Sequence, residues 1–261
     1  MWCYVGDLPN VTTAGSTTSR VLPIHVTFRA ARPPLLSHLC VHCQGLVFPR
    51  VTPKLIASHA DLLLLAVPYD PLTTLSSWTW DYFIYHRAAN VPPRLHRIPR
   101  PPRSMRFNES EVTIVSVGDD DEYVVAALAT AGKFLSVNKD FHLDLYHSSS
   151  SHGGKQQQQG VWVSKLLTLE NHLRDKLVPL PKAAAEYRFY QEMGKTIVIG
   201  GERGTVGWVD LWRGIIFCDV LDNEPVLRDM PLPLPVRSNW DRLLEQDAPN
   251  YICDVTKVVV I

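Results

Sequence analysis

His38, Cys40, His42 and Cys43 are the densest group of potential metal ligands in the chain. Thiolates with nearby imidazoles can supply the tetrahedral nitrogen and sulfur donors that zinc takes. Here the four fall on one short apolar stretch. If that stretch is a strand, Cys40 and His42 point to one face and Cys43 with Val41 to the other, so the four cannot converge. With no second Cys pair, the expectation is buried structural thiols rather than a metal site.

Other residue types invite other chemistry and are weighed the same way. Asp119, Asp120, Asp121 and Glu122 could hold a hard cation through carboxylate oxygens, yet four acids in a row before a strand read as a solvated hairpin tip. His59 and Asp61, placed on one face of a strand, could form an acid–base pair, but no activated nucleophile lies near them in sequence. Gly200-Gly201-Glu202-Arg203-Gly204 lacks both the spacing and the Lys-Ser or Lys-Thr of a phosphate loop, so it reads as a turn. Arg94, His96, Arg97, Arg100, Arg103 and Arg106, interleaved with prolines, could dock a partner or touch phosphates; an extended, solvated linker is the plainer reading. Trp80, Trp208 and Trp212 could floor a ligand site, but large aromatics mostly fill cores. No Gly-x-Ser-x-Gly elbow and no His-Glu-x-x-His helix is present. No residue is therefore assigned a catalytic, cofactor-binding or metal-ligating role, and no cofactor is expected.

Bulk properties narrow the class further. The 261 residues can bury a sizeable core, and with 46% hydrophobic and 20% charged residues the chain is globular. Lys plus Arg equals Asp plus Glu at 26 each, which removes the positive excess that nucleic-acid binding draws on. No apolar run approaches the roughly 18 residues of a membrane span. Five scattered cysteines and an N-terminus without a cationic start or apolar core fit a reducing compartment, cytoplasmic or nuclear.

The elements that must position these groups are short strands. Residues 1–19, rich in Thr, Ser and Gly, read as a disordered lead-in, and residues 20–261 as one β domain. Strands are expected over Val21–Phe28, Lys54–Ala57, Asp61–Val67, Trp80–Tyr85 and Leu95–Ile98, and a strand or turn over His38–Cys43. A second group covers Glu111–Val117, Tyr123–Leu128, Phe141–Tyr146 and Val161–Leu169, interrupted by a low-complexity loop at Ser148–Gln159. Lys182–Tyr190 is expected to form a helical turn, Asn239–Gln246 a short helix and Tyr251–Ile261 a strand. The third group centres on Ile197–Ile199, Val206–Leu211, Ile215–Cys218 and Val226–Leu227. Its turns are Gly200-Gly201 and Asp222–Pro225, and it exits through Pro231, Pro233 and Pro235.

An internal repeat ties the groups together. Sliding the chain by 132 residues lays Trp80 on Trp212, Pro93 on Pro225, Leu95 on Leu227, Ile98 on Met230 and Pro99 on Pro231. Leu145-Tyr146-His147 echoes Ile84-Tyr85-His86 in a looser middle copy. Sheet units recurring at tens of residues predict an all-β fold: an antiparallel β-propeller-like array of four-stranded units. At roughly 40 to 65 residues per unit the chain holds about three and a half, so the array is expected to be incomplete at the C-terminus.

Gly207-Trp208-Val209-Asp210-Leu211-Trp212-Arg213-Gly214-Ile215, followed by Cys218-Asp219-Val220-Leu221 and Pro225-Val226-Leu227-Arg228, resembles a plant family much expanded in grasses, the domain-of-unknown-function 1618 family. Cys40–Cys43, Ala60–Leu64, Tyr123–Leu128 and Gly200–Glu202 extend the resemblance over roughly Val21–Ile261. It implies a propeller-like domain similar to those that follow F-boxes, and it supplies no catalytic residue. Of the motif, Gly207, Trp208, Asp210, Trp212, Arg213, Gly214, Asp219 and Pro225 are expected to be structural. The expected function is a non-enzymatic scaffold for a protein partner, with a ubiquitin-ligase adaptor implied by resemblance alone. The alternative is a small-ligand binder or enzyme using the axial face of a propeller.

Overall fold

The computed structural model describes residues 3–5, 9–48, 51–69, 80–88, 91–101, 109–118, 122–131, 140–148, 160–169, 193–211, 214–233 and 254–256. Among these residues every regular element is a strand, and no helix is long and apolar enough to cross a membrane. Sixteen strands among the described residues form four four-stranded sheets.

The first sheet comprises β1 (Cys3–Val5), β2 (Ala14–Thr17), β3 (Pro23–Arg29) and β4 (His38–Cys43) in the order β1-β4-β3-β2, with β1 parallel to β4. Alternation sets its buried face: Ile24, Val26 and Phe28 on β3 lie opposite Cys43, Val41 and Leu39 on β4, all within one core cluster. The other three sheets are meanders. They are β5 (Lys54–His59) to β8 (Arg94–Ile98), β9 (Val112–Val117) to β12 (Val161–Thr168), and β13 (Lys195–Gly200) to β16 (Arg228–Pro231). Between them lie β6 (Leu62–Pro68), β7 (Trp80–His86), β10 (Glu122–Thr130), β11 (Asp140–His147), β14 (Thr205–Asp210) and β15 (Gly214–Asp219). The continuous apolar runs occupy these central strands, buried on both faces, whereas β5, β12, β13 and β16 are half-buried or exposed and β8 buries only Leu95 and Ile98. This is the strand-by-strand composition of propeller-like blades.

The chain divides into two compact units, one of Met1–Phe107, Ser116–Tyr123 and Tyr146–Trp162, the other of Asn108–Val115, Val124–Leu145 and Val163–Ile261. The first holds the cluster built on Ile24, Val26, Leu65, Val67, Phe83 and Tyr85; the second holds Val209, Leu211 and Ile215 packed by Ile197, Phe217, Leu232 and Val255.

Two expectations change. Residues 1–19, read as a disordered lead-in, carry β1 and β2. Polar groups that look solvated in sequence find partners on neighbouring strands: Thr12 Oγ1 accepts from Phe28 N–H (2.9 Å) in place of a ladder partner, the Thr13 and Thr27 hydroxyls bond at 2.8 Å, and the Thr12 carbonyl accepts from Tyr85 O–H (2.7 Å). The repeat survives with its register altered. Its offset correctly superposes β7 on β15 and β8 on β16, but Phe217 lies opposite Arg228, one residue beyond the Leu227 that the Tyr85–Leu95 pair implies. One residue of slip exchanges faces. Met230 is accordingly 45% exposed where Ile98 is 2% exposed. Tyr-His endings do recur, closing β7 at His86 and β11 at His147. The acidic tip at Asp119–Asp121, the low-complexity loop, and the elements expected at Lys182–Tyr190 and Asn239–Gln246 lie outside the described residues, as does Tyr251–Ile261 apart from residues 254–256.

Candidate functional site

The His and Cys residues of β4 are divided by the pleat. Cys43 enters the core with Leu39 and Val41, Cys40 is buried on the opposite face beside Thr27, and His42 is exposed opposite His25. Burial, with Asp81 nearby, pushes the Cys43 thiol above its usual range, which disfavours the thiolate a metal would need. Among the described residues no group of three or more His, Cys, Asp or Glu is placed to hold a metal ion.

His59 and Asp61 do not share a strand face. His59 ends β5, Leu62 opens β6 opposite it, and Asp61 sits in the two-residue turn behind Ala60, whose φ of 50° is left-handed. The imidazole is spent elsewhere: Ser116 N–H donates to Nδ1 at 3.0 Å. The acid–base reading therefore has no geometry. Gly200, Gly201 and Gly204 all take positive φ in the turn joining β13 to β14, as a turn rather than a phosphate loop requires.

Titratable chemistry does gather around β8, the strand of the basic, proline-interleaved stretch, but through His96 and partners that the sequence did not connect with it. His96 is hydrogen-bonded to the Tyr123 hydroxyl, and the two rings stack at 5.5 Å. Tyr123 stands 6.3 Å from Tyr146, and Tyr146 5.3 Å from Trp162, whose Nε1–H donates to Pro99 O at 2.9 Å. The ladder thus starts on β8 and closes back on the residue after it. Burial, reinforced by the Arg94 and His86 charges, lowers the His96 pKa to about 4, and burial drives the Tyr123 phenol far above its usual range. Both are neutral near pH 7, so they bond as a neutral pair and neither supplies a charged acid or base. No local pattern could reveal this group, because His96 and Tyr123 are 27 residues apart and Trp162 and Pro99 are 63 apart.

The motif residues lie in the second unit, mostly in one hairpin. Trp208 is fully buried and its indole N–H donates to Glu111 O at 2.8 Å. Gly207 faces Phe217 across the ladder, and a Cβ there would lie 2.8 Å from the Phe217 ring and 2.9 Å from Ile197. Gly214 opposes Asp210 with φ of 149°, and a Cβ would come within 2.3 Å of Met230 O. Asp219, nearly buried at the end of β15, accepts from Thr205 Oγ1 (2.6 Å) and Arg228 Nη2 (2.8 Å), with Arg203 Nη1 at 3.8 Å from its other oxygen. It ties β14, β15, β16 and the preceding turn together. Thr205 is the partner that sequence reasoning did not single out, and it did not connect Arg203 of the glycine-rich turn or Arg228 of the motif with Asp219. Cys218 beside it is inert, its thiol pushed up to about 12 by burial and the Asp219 charge. Pro225 is buried in the loop before β16, and Trp212 and Arg213 lie outside the described residues.

No curated protein and no solved structure matches the chain. Residues 208–260, which include Asp219, match the family model described as protein of unknown function, DUF1618.

Proposed function

We propose that the chain belongs along its whole length to the DUF1618 family and works as a non-enzymatic scaffold for a protein partner. The observation that carries this reading is where the exposed apolar residues sit. Val11 (88% exposed), Leu35 (72%) and Leu36 (74%) flank the start of β2 and follow the end of β3, which antiparallel pairing puts at one end of the first sheet. Val21 and Val47, similarly exposed, sit at the other end. Apolar side chains held in water on loops of a rigid sheet are what a partner surface would cover. The motif supports the same reading, since its described residues are engaged in holding the hairpin together. By resemblance to domains that follow F-boxes in plants, the partner class is an adaptor of a ubiquitin ligase, in the cytoplasm or nucleus.

Affinity capture of the tagged chain from plant cells, read by quantitative mass spectrometry, tests this. One partner should be enriched reproducibly, and the double substitution Leu35→Asp with Leu36→Asp should abolish the enrichment while leaving the melting transition in place. An empty capture from cooperatively melting protein would overturn the reading.

A further inference from the structure

We propose that the ladder of Trp162, Tyr146, Tyr123 and His96 is a redox-active site, in which an electron taken from Trp162 by a one-electron oxidant is replaced from Tyr123 while the Tyr123 proton passes to His96. This chemistry goes beyond the scaffold reading and does not depend on it. All four residues belong to one compact unit, although they come from β12, β11, β10 and β8. Ring centroids lie 5.3 Å apart from Trp162 to Tyr146, 6.3 Å from Tyr146 to Tyr123 and 5.5 Å from Tyr123 to His96. These are the separations of aromatic pairs in contact, so an electron crosses the ladder in short steps from ring to ring.

Burial sets the entry point. Trp162 is half-buried, whereas Tyr146 and Tyr123 are each 3% exposed, so a solute in water meets the indole first. The indole is also fixed, since its Nε1–H donates to Pro99 O at 2.9 Å.

Hydrogen bonding then separates the two phenols. Oxidation makes a phenolic proton strongly acidic, and a tyrosine yields its electron readily where a neighbouring base accepts that proton. Tyr123 has such a base, because its hydroxyl is bonded to His96 Nε2. Burial keeps the imidazole neutral near pH 7, and with its own proton on Nδ1 it offers Nε2 to the phenol as an acceptor. The Tyr146 hydroxyl is instead held by the Gly160 backbone N–H, which has no lone pair to take a proton. A Cβ at Gly160 would lie 2.8 Å from Tyr146 Cζ and 2.9 Å from its hydroxyl, so this close backbone approach requires glycine. Tyr146 therefore relays an electron and Tyr123 keeps the vacancy.

The balance is one electron and one proton. Trp162 loses an electron to the oxidant, which is reduced. Tyr146 refills the indole and is refilled by Tyr123. The Tyr123 O–H bond breaks as an N–H bond forms at His96 Nε2, leaving a neutral tyrosyl radical beside an imidazolium.

The full chain is oxidised by a ruthenium(III) polypyridyl complex, generated by a laser flash with persulfate as electron sink. Radicals are followed by transient absorption and by electron paramagnetic resonance of frozen samples. A tryptophanyl signal should give way to a tyrosyl one, and formation of the latter should slow in heavy water. Tyr123→Phe should remove most of the tyrosyl signal and leave the tryptophanyl one standing. Trp162→Phe and His96→Gln should each slow tyrosyl formation at least about ten-fold, the second also removing the heavy-water effect, whereas Tyr69→Phe should change neither. Phenylalanine preserves ring packing, and a cooperative melting transition establishes that each variant folds; should His96→Gln not fold, Tyr123→Phe and Trp162→Phe still decide. Absence of a tyrosyl signal in the wild type, an undiminished one in Tyr123→Phe, or an unchanged rate in Trp162→Phe overturns the proposal.

Discussion

The β7–β8 and β15–β16 hairpins are built from the same repeat, and each sets an arginine opposite a phenylalanine: Phe83 with Arg97, Phe217 with Arg228. In each, an aspartate two residues from that phenylalanine meets the arginine. Asp81 precedes Phe83, at the end of the hairpin away from its loop; Asp219 follows Phe217, beside its loop. That displacement changes what each carboxylate depends on. Asp219 is satisfied by Thr205, Arg228 and Arg203 of its own sheet and turn. Asp81 stands 4.0 Å from Arg97 and takes its short bond from Ser19 N–H, on a hairpin of a different sheet. One carboxylate is satisfied within its own sheet and the other leans on a neighbour 62 residues away. The self-sufficient one is where the family match falls.

The contrast can be broken most severely at Gly214. Its φ and the 2.3 Å approach of a Cβ to Met230 O predict that Gly214→Ala costs about 3 kcal/mol or more in urea unfolding, since backbone rather than a flexible side chain must move. An effect below about 1 kcal/mol would mean that β15 and β16 pair more loosely than their register indicates.

On the other hairpin the expected effect is set by pH. His96 has its folded pKa lowered to about 4 from 6.5, so the unfolded chain takes up a proton before the folded one does. The stability this neutral histidine contributes is complete above pH 6.5 and is lost as pH falls toward 4, by about 3 kcal/mol in all. Other groups titrate in that window, so the measurement is the difference between wild type and His96→Gln. That difference should shrink steadily from pH 7 to pH 4. A constant difference would mean that His96 is not desolvated against Tyr123.

The smallest effect discriminates best. A double-mutant cycle on Asp219 and Arg228 should give a coupling of about 1 kcal/mol, and one on Asp81 and Arg97 less than about 0.5 kcal/mol, because Arg228 hydrogen-bonds its partner at 2.8 Å whereas Arg97 stands 4.0 Å from Asp81. Equal couplings would erase the distinction between the hairpins.

Much of the first-order structure was legible because it is local. Leu62–Val67, Tyr123–Leu128 and Ile215–Cys218 are apolar runs too short for helices, and they became central strands buried on both faces. The Gly200-Gly201 turn falls where backbone chemistry puts it, whereas β16 runs Arg228–Pro231 rather than Val226–Leu227 and takes in the first of the prolines expected to end it. The Thr-rich start was misread for the converse reason: a hydroxyl's partner, such as Phe28 N–H for Thr12, is invisible until the strand beside it is known. The repeat's register was one residue off because identity at proline and leucine positions cannot sense an added loop residue that shifts every cross-strand pair.

By itself, then, the order of residues determined the all-β character, most strands after residue 20 and the motif around Gly207, Gly214 and Asp219, since each follows from neighbours within a few tens of positions; the fourth sheet, with β1 and β2, did not show. Only tertiary structure decided which polar groups meet. His96 came to rest against Tyr123, Ser19 N–H found Asp81, and Arg20 and Arg100 met on Tyr69. The physical reason is that hydrogen bonds and cation–π contacts act over a few ångströms, and strands distant in sequence reach that range only after their sheets have formed.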